Sequence, residues 1–191
     1  MTADEMLALA KPIEGWMYDA ELVWLFDHSQ QFSRIVEIGV WAGRSTMALC
    51  CGAVPSASVI HAIDHFQGSP GEDTHHSRVK TKEGSELLER EARNNLGQWL
   101  RIGLLQLHRS HSAAATALIA ESTPVIDMLF LDGGHDFESV DLDLDCWYPL
   151  LERGGLICGH DRHWPGVHKA ITKNFGTRID HGPGSIWYVT R

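Results

Sequence analysis

The 191-residue sequence has no apolar run approaching the roughly 20 residues that span a bilayer, which excludes a membrane helix. Its first residues, MTADEMLALAKPIEGW, carry acids early and no basic segment leading into an apolar one, so they do not read as a secretory signal. Cysteine is scarce and unsuitably spaced: Cys50 and Cys51 are adjacent, Cys146 and Cys158 stand apart, and all lie among apolar residues without a C-x-x-C pair. That argues against a zinc knuckle or a disulfide framework and predicts reduced core thiols in the cytoplasm. Basic residues are outnumbered, 16 Lys and Arg against 25 Asp and Glu for a net charge of −9, the opposite of what a general nucleic-acid binder carries. An acidic chain still holds an anionic cofactor locally through backbone N–H groups. Repeats, low-complexity tracts and linkers are also missing, which predicts one domain over residues 1–191 with residues 1–30 as a helical cap.

What is present is alternation. Short aliphatic runs at Ile35 to Ile38, Ser58 to Ile63, Leu104 to Leu107, Val125 to Leu131 and Leu156 to Cys158 are separated by stretches of helical period. Leu88, Ala92, Leu96 and Trp99 form one apolar stripe, Val140, Leu144, Trp147 and Leu151 a second, and Val167, Ile171 and Phe175 a third. Strands apolar on both faces and alternating with helices predict a mostly parallel sheet covered on both sides, a three-layer α/β fold. A helix over Trp16 to Phe26 precedes the first strand, and a hairpin over Thr177 to Thr190, turning at Gly182 to Gly184, closes the sheet. Gln67 to Thr81, rich in Gly, Pro, Ser and His, is the one long irregular piece, a length that in compact domains is usually functional.

Parallel sheets present the C-terminal ends of their strands to ligands, and those ends carry the notable residues here. The first strand runs into VEIGVWAGRST, an acid followed by G-x-x-x-G and a helix start; Gly39 and Gly43 permit close backbone approach, and the helix N–H groups offer an anion site. The second strand ends on Asp64, placed to accept ribose hydroxyls in charge-assisted bonds. A dinucleotide fingerprint requires G-x-G-x-x-G, but Trp41 stands at its second glycine and Glu37 precedes the turn. A carboxylate there repels a pyrophosphate and suits an ammonium, so a ligand with both an ammonium and a ribose, such as S-adenosylmethionine, fits the pattern.

Together with IDMLFLDGGHDFESVDLDLDCWYPLLERGGLICGHD, these motifs resemble the class I S-adenosylmethionine-dependent methyltransferases, and more narrowly the small bacterial group called methyltransferase family 24. The resemblance covers residues 34 to 161. It implies a Rossmann-like methyltransferase fold of about seven strands with an antiparallel C-terminal hairpin. It also implies a cofactor set of Glu37, Gly39, Trp41, Gly43, Asp64, Ser110, His111 and Asp132, with Glu37 and the glycines at the methionine part, Asp64 at the ribose, and Ser110 and His111 beside the adenine. Metal-dependent O-methyltransferases of the catechol and macrocin types carry acids at the ends of the fourth and fifth strands. Here Asp132, His160 and Asp161 match those positions, His160 replacing the expected acid. An imidazole shifts the preference from magnesium toward manganese, iron or zinc. By the macrocin-type resemblance His135 is the general base, with His163 a second candidate; an imidazole near neutral pH accepts a hydroxyl proton.

The implied activity is transfer of a methyl group to a hydroxyl oxygen of a small molecule, metal-assisted with a histidine base. The alternatives are a metal-free N- or C-methyltransferase and a non-enzymatic cofactor sensor. Nothing points to a nucleic-acid or membrane partner, and the aromatic N-terminal helix is compatible with a homodimer. Asp132 has the alternative role of helix N-cap. Asp141, Asp143 and Asp145 read as a solvated helix face, Trp16 and Trp24 as core or interface, and His75 and His76 as either substrate contacts or solvated loop residues.

Overall fold

The computed structural model describes residues 1–53, 58–69 and 77–191, so His75 and His76 lie outside the described residues. Seven strands form one sheet in the order β3-β2-β1-β4-β5-β7-β6. They are β1 (Arg34–Ile38), β2 (Val59–Asp64), β3 (Leu105–Arg109), β4 (Ile126–Leu131), β5 (Leu151–Gly159), β6 (Asp180–His181) and β7 (Trp187–Thr190). The first five pair in parallel, and β7 pairs antiparallel with both β5 and β6. This is the Rossmann-like methyltransferase topology, with the expected terminal hairpin in place. The strand order reverses between β1 and β4, the point where open α/β sheets bind ligands.

Two helical layers cover the sheet. On one face lie α1 (Ala3–Ala10), α2 (Asp19–Ser29), α3 (Arg44–Ala53), α4 (Lys82–Asn95) and α5 (Gly97–Arg101). On the other lie α6 (Ser112–Ser122), α7 (Phe137–Trp147) and α8 (Pro165–Phe175). All three apolar stripes read from the sequence are buried. The period of two along β1 sends Ile35 to the first core and Val36 and Ile38 to the second. Glu37 therefore points to the Ile35 face, beneath α3, where an apolar side chain would normally sit.

Several boundaries differ from expectation, each for a local reason. The N-terminal helix starts at Asp19 rather than Trp16 because the Glu21 carboxylate accepts the Tyr18 N–H at 2.7 Å and caps the helix there. A further helix, α1, precedes it with a Thr2–Glu5 capping box. Leu151 belongs to β5 and not to the helical stripe, since Pro149 lacks the N–H needed to continue α7 and the chain passes through a single 3₁₀ turn over Tyr148–Leu150. The Asp143 side chain of the supposed solvated face is buried, whereas Asp145 is exposed.

On the second face, His61 of β2 is 2% exposed. Its ring nitrogens lie 3.1 Å from His108 Nε2 and 3.1 Å from Thr123 Oγ1. Burial, and then the neighbouring His108, lower its pKa from 6.5 to about 4. The unfolded chain therefore binds the extra proton first, so this stabilisation is complete above pH 6.5 and lost as pH falls toward 4. The drop is worth at most about 3 kcal/mol. In thermal melts from pH 7 to pH 4, the wild type is expected to lose stability more steeply than His61→Phe; parallel curves would contradict this assignment.

Candidate active site

The sheet's hydrogen-bond ladder continues one step past the strands and aligns their ends. Ser110 N–H donates to the Asp64 carbonyl at 3.0 Å and Gly39 N–H to Ile63 at 2.9 Å. Asp132 N–H donates to Ile38 at 2.8 Å and His160 N–H to Leu131 at 3.0 Å. The end of β2 and the residues following β3, β1, β4 and β5 thus form one row along an edge. Above it lies a cavity of about 420 Å³, lined by Gly39, Trp41, Asp64, Ser110, His111, Asp132, His135, His160 and Asp161 among others. That volume falls within the range of small-molecule sites. The three non-glycine residues of positive φ among the described residues, Trp41 at 51°, Phe66 at 58° and Asp161 at 58°, all sit in the loops leaving strands at this edge. Such strained backbone concentrates at ligand sites.

Asp64 organises the turn after β1. Its Oδ2 accepts the N–H groups of Val40 and Trp41, both at 2.9 Å, and its Oδ1 accepts Phe66 N–H at 2.6 Å. A carboxylate offers about four acceptor positions, so room remains for about one more donor, and double acceptance from a ribose competes with the turn's own amides. Gly39 is required beside it: at φ +91°, an added Cβ would lie 2.1 Å from the Asp132 carbonyl oxygen.

Glu37 and Gly43 are not among the cavity-lining residues. Glu37 is fully buried and accepts Ser45 Oγ at 2.5 Å from the first turn of α3. Burial pushes its carboxyl up to about 8 against the hydrogen bond from Ser45, and its Oε2 has no partner among the described residues. Gly43 packs its backbone against Leu96. Both lie beneath the turn after β1.

The opposite end of the cavity holds two imidazoles among three carboxylates. His135 Nε2 lies 2.8 Å from Asp161 Oδ2, and its ring stacks on Trp164 at 4.8 Å. His160 Nδ1 lies 3.1 Å from Asp161 and 3.5 Å from Asp132, and its Nε2 is 3.1 Å from Glu21. Burial works against a charge on His160, but hydrogen bonds to Asp161 and Glu21, with Asp132 nearby, hold it protonated, pushed up to about 11. Burial also opposes the charge on Asp161, yet the His135 and His160 bonds hold its carboxyl well below the usual range. Burial first, then the Asp161 charge, push Asp132 up to about 7 against the pull of both histidines.

The sequence grouped Asp132 and Asp161 with His160 around a metal. Among the described residues, the potential ligand atoms that converge within 4.8 Å belong to Asp132, His135 and Asp161. Two carboxylates and one imidazole suit manganese, iron or zinc, and a divalent cation would relieve the crowding of the acids, so this donor set fits such an ion. His163 is exposed and is not among the lining residues. The N-cap of α7 is Asp136, which accepts Ser139 N–H at 2.9 Å, so Asp132 does not cap that helix.

Sequence reasoning missed several residues. Asp143, at helical spacing from solvated acids, lines the cavity instead, with burial pushing it up to about 6 against a hydrogen bond from Ser112. Trp16, read as core or interface, is 51% exposed at the cavity wall, 5.3 Å from Trp41. Glu21 carried no motif. Its only visible signal was an acid three residues after a helix start, a capping position.

Residues 36–162 match the family model Methyltransf_24, described as a methyltransferase domain. Among solved structures the fold is similar to CalS11, a calicheamicin methyltransferase, with a TM-score of 0.68 and 16% identity over 89% of this chain and 77% of that one. It is also similar to the O-methyltransferase NovP, with a TM-score of 0.66 and 20% identity over 91% of this chain and 81% of that one. An O-methyltransferase from Bacillus cereus in complex with SAH gives a TM-score of 0.66 at 14% identity, over 99% of this chain and 90% of that one. An uncharacterized Sinorhizobium fredii protein, y4gI, is 27% identical over 93% of this chain, which spans about 19% of that relative's length.

Replacing Asp64 with Ala removes the acceptor for three backbone amides at once. The expected cost by urea denaturation is about 2–3 kcal/mol, with Asp64→Asn, which keeps one oxygen, losing less. A loss below about 0.5 kcal/mol in the alanine variant would show that the turn stands without it.

Proposed function

The chain belongs to the methyltransferase-domain family, and from that premise we propose that it moves a methyl group from S-adenosylmethionine to a hydroxyl oxygen of a small molecule, with His135 as the general base. The observation that carries this reading is the 2.8 Å contact of His135 Nε2 with Asp161 Oδ2 at the cavity wall, beside Asp132. When bound, S-adenosylmethionine supplies an electrophilic methyl on a sulfonium sulfur. Asp64 would hold its ribose and the Gly39–Gly43 turn its methionine part, Ser110 and His111 would flank the adenine, and Glu37 supports the turn from below.

His135 then performs the proton chemistry. A neutral ring that donates from Nε2 to Asp161 keeps its basic lone pair on Nδ1, and the Trp164 stack restricts its rotation. That nitrogen would accept the hydroxyl proton as the C–O bond forms and the sulfonium C–S bond breaks, with S-adenosylhomocysteine leaving with the C–S electron pair. Positioning supplies most of the rate, and the base contributes typically 10²–10⁴-fold. The acceptor enters between the N-terminal segment and the loop after β2, where Trp16, Met17, Gly68 and Ser69 line the cavity. The solved relatives named for O-methylation support oxygen as the acceptor atom; sugars, phenols and polyketides suit a cavity of this size and lining. We further propose residues 1–191 as one methyltransferase domain, the N-terminal helices forming part of its cap.

A second reading is favoured by the convergence of Asp132, His135 and Asp161. These three would hold a divalent cation, whose charge lowers the pKa of a bound hydroxyl; His135 is then a ligand and not the base.

Transfer of labelled methyl to a panel of phenols, sugars and polyketides, in the presence of EDTA, separates the readings. His135→Ala is expected to lower turnover 10²–10⁴-fold while S-adenosylhomocysteine affinity stays within about twofold. Wild-type activity that vanishes in EDTA and returns with manganese would establish the second reading instead. In that case manganese should raise the melting temperature of the wild type and leave that of Asp132→Asn unchanged.

A further inference from the structure

Glu21 belongs to α2, 139 residues from His160, yet it is fully buried against the site. Its Oε1 lies 3.1 Å from His160 Nε2 and accepts Ser185 N–H at 2.8 Å; its Oε2 accepts Tyr18 N–H at 2.7 Å. Three elements thus converge on one carboxylate: the N-terminal helix, the end of β5, and the turn between β6 and β7. The fit at that turn is close. Gly184 has φ +56°, and a Cβ there would lie 2.0 Å from Glu21 Oε1. The rest of the surroundings hold His160 in place. Ser185 Oγ is 3.0 Å from its Nε2, and Trp187 Nε1 donates to its carbonyl at 3.2 Å.

A buried carboxylate is retained only if its bonds offset its desolvation, and here every bond orients a neighbour. From Glu21 the contacts run without a gap: Glu21 to His160 Nε2 at 3.1 Å, His160 Nδ1 to Asp161 at 3.1 Å, and Asp161 to His135 Nε2 at 2.8 Å. Asp161 sits at a left-handed φ of 58°, so its carboxylate direction depends on what bonds it from each side. A ring held at both nitrogens cannot flip or slide, and it transmits that fixity to the next acid.

We infer that Glu21 is a positioning residue: through His160 it sets the Asp161 carboxylate and thereby the orientation of the His135 ring, so that the N-terminal helix is a working part of the methyl-transfer site. The inference rests on the reading of His135 as base for its kinetic consequence, whereas the ring geometry is testable by itself.

The experiment compares wild type, Glu21→Gln and Glu21→Met by imidazole ¹H–¹⁵N spectra, by S-adenosylhomocysteine calorimetry, and by turnover on whichever acceptor the panel yields. The glutamine variant keeps an acceptor oxygen. It is expected to retain the His160 Nε2–H signal and a kcat within about threefold of wild type. The methionine variant, which leaves Ser185 Oγ 3.0 Å from Nε2, is expected to shift that signal, to shift the His135 ring signals and to lower kcat at least about tenfold, with KM and cofactor affinity within about twofold. Should it fail to fold, Glu21→Asp, one methylene too short to reach His160, carries the same expectation. His135 signals that stay in place when His160 loses the Glu21 carboxylate would overturn the proposal. Absence of turnover in the wild type would count against O-methyl transfer, and the ring signals would still decide whether Glu21 positions His135.

Discussion

The candidate site depends on parallel strand register carried one residue beyond the strands. Ser110, Gly39, Asp132 and His160 each donate a backbone N–H to the neighbouring strand, so chain segments distant in sequence end at the same height. The reversal of strand order between β1 and β4 then opens the crevice above that row. Gly39 permits the closest approach within it, since any side chain there would collide with the Asp132 carbonyl. Asp64 completes the arrangement by holding the Val40 and Trp41 amides, which keeps Trp41 in its left-handed conformation.

The two ends of the cavity are built on different electrostatic principles. At the Asp64 end, a carboxylate is stabilised by backbone N–H groups, and the helix N-terminus behind it adds positive potential. At the other end, Asp132, Asp161 and Glu21 are balanced by His160 and His135 alone among the described residues. Burial keeps Asp132 high and the histidine contacts keep Asp161 low, so two acids in one cluster hold protons differently. Groups pushed apart in this way are suited to divide the work of orienting and accepting a proton.

Much of this was readable from sequence because it follows local period and strand-end position. The strand cores, the three helical stripes and the terminal hairpin announce themselves by periodicities of two and 3.6. Gly39, Asp64, Asp132, His135 and Asp161 announce themselves by standing where parallel strands end. The rest depends on tertiary direction. Glu37 looks like a ligand contact in VEIGVWAGRST, but the pleat turns it beneath α3 and toward Ser45. Asp143 looks solvated beside Asp141 and Asp145, but a helix advances 100° per residue, and it falls on the inner side. Glu21 meets His160 across 139 residues, a pairing no local pattern encodes.

The account's central claim is that the strand-end cavity is built for S-adenosylmethionine rather than for a dinucleotide. Titration calorimetry of the wild-type protein with S-adenosylhomocysteine, and in parallel with NAD⁺, tests it most directly. The account predicts saturable heat with S-adenosylhomocysteine at micromolar affinity, about −8 kcal/mol, and none with NAD⁺. Binding of NAD⁺ alone, or of neither ligand, would contradict it and leave the sheet, its strained turns and its histidine–carboxylate cluster serving some other ligand.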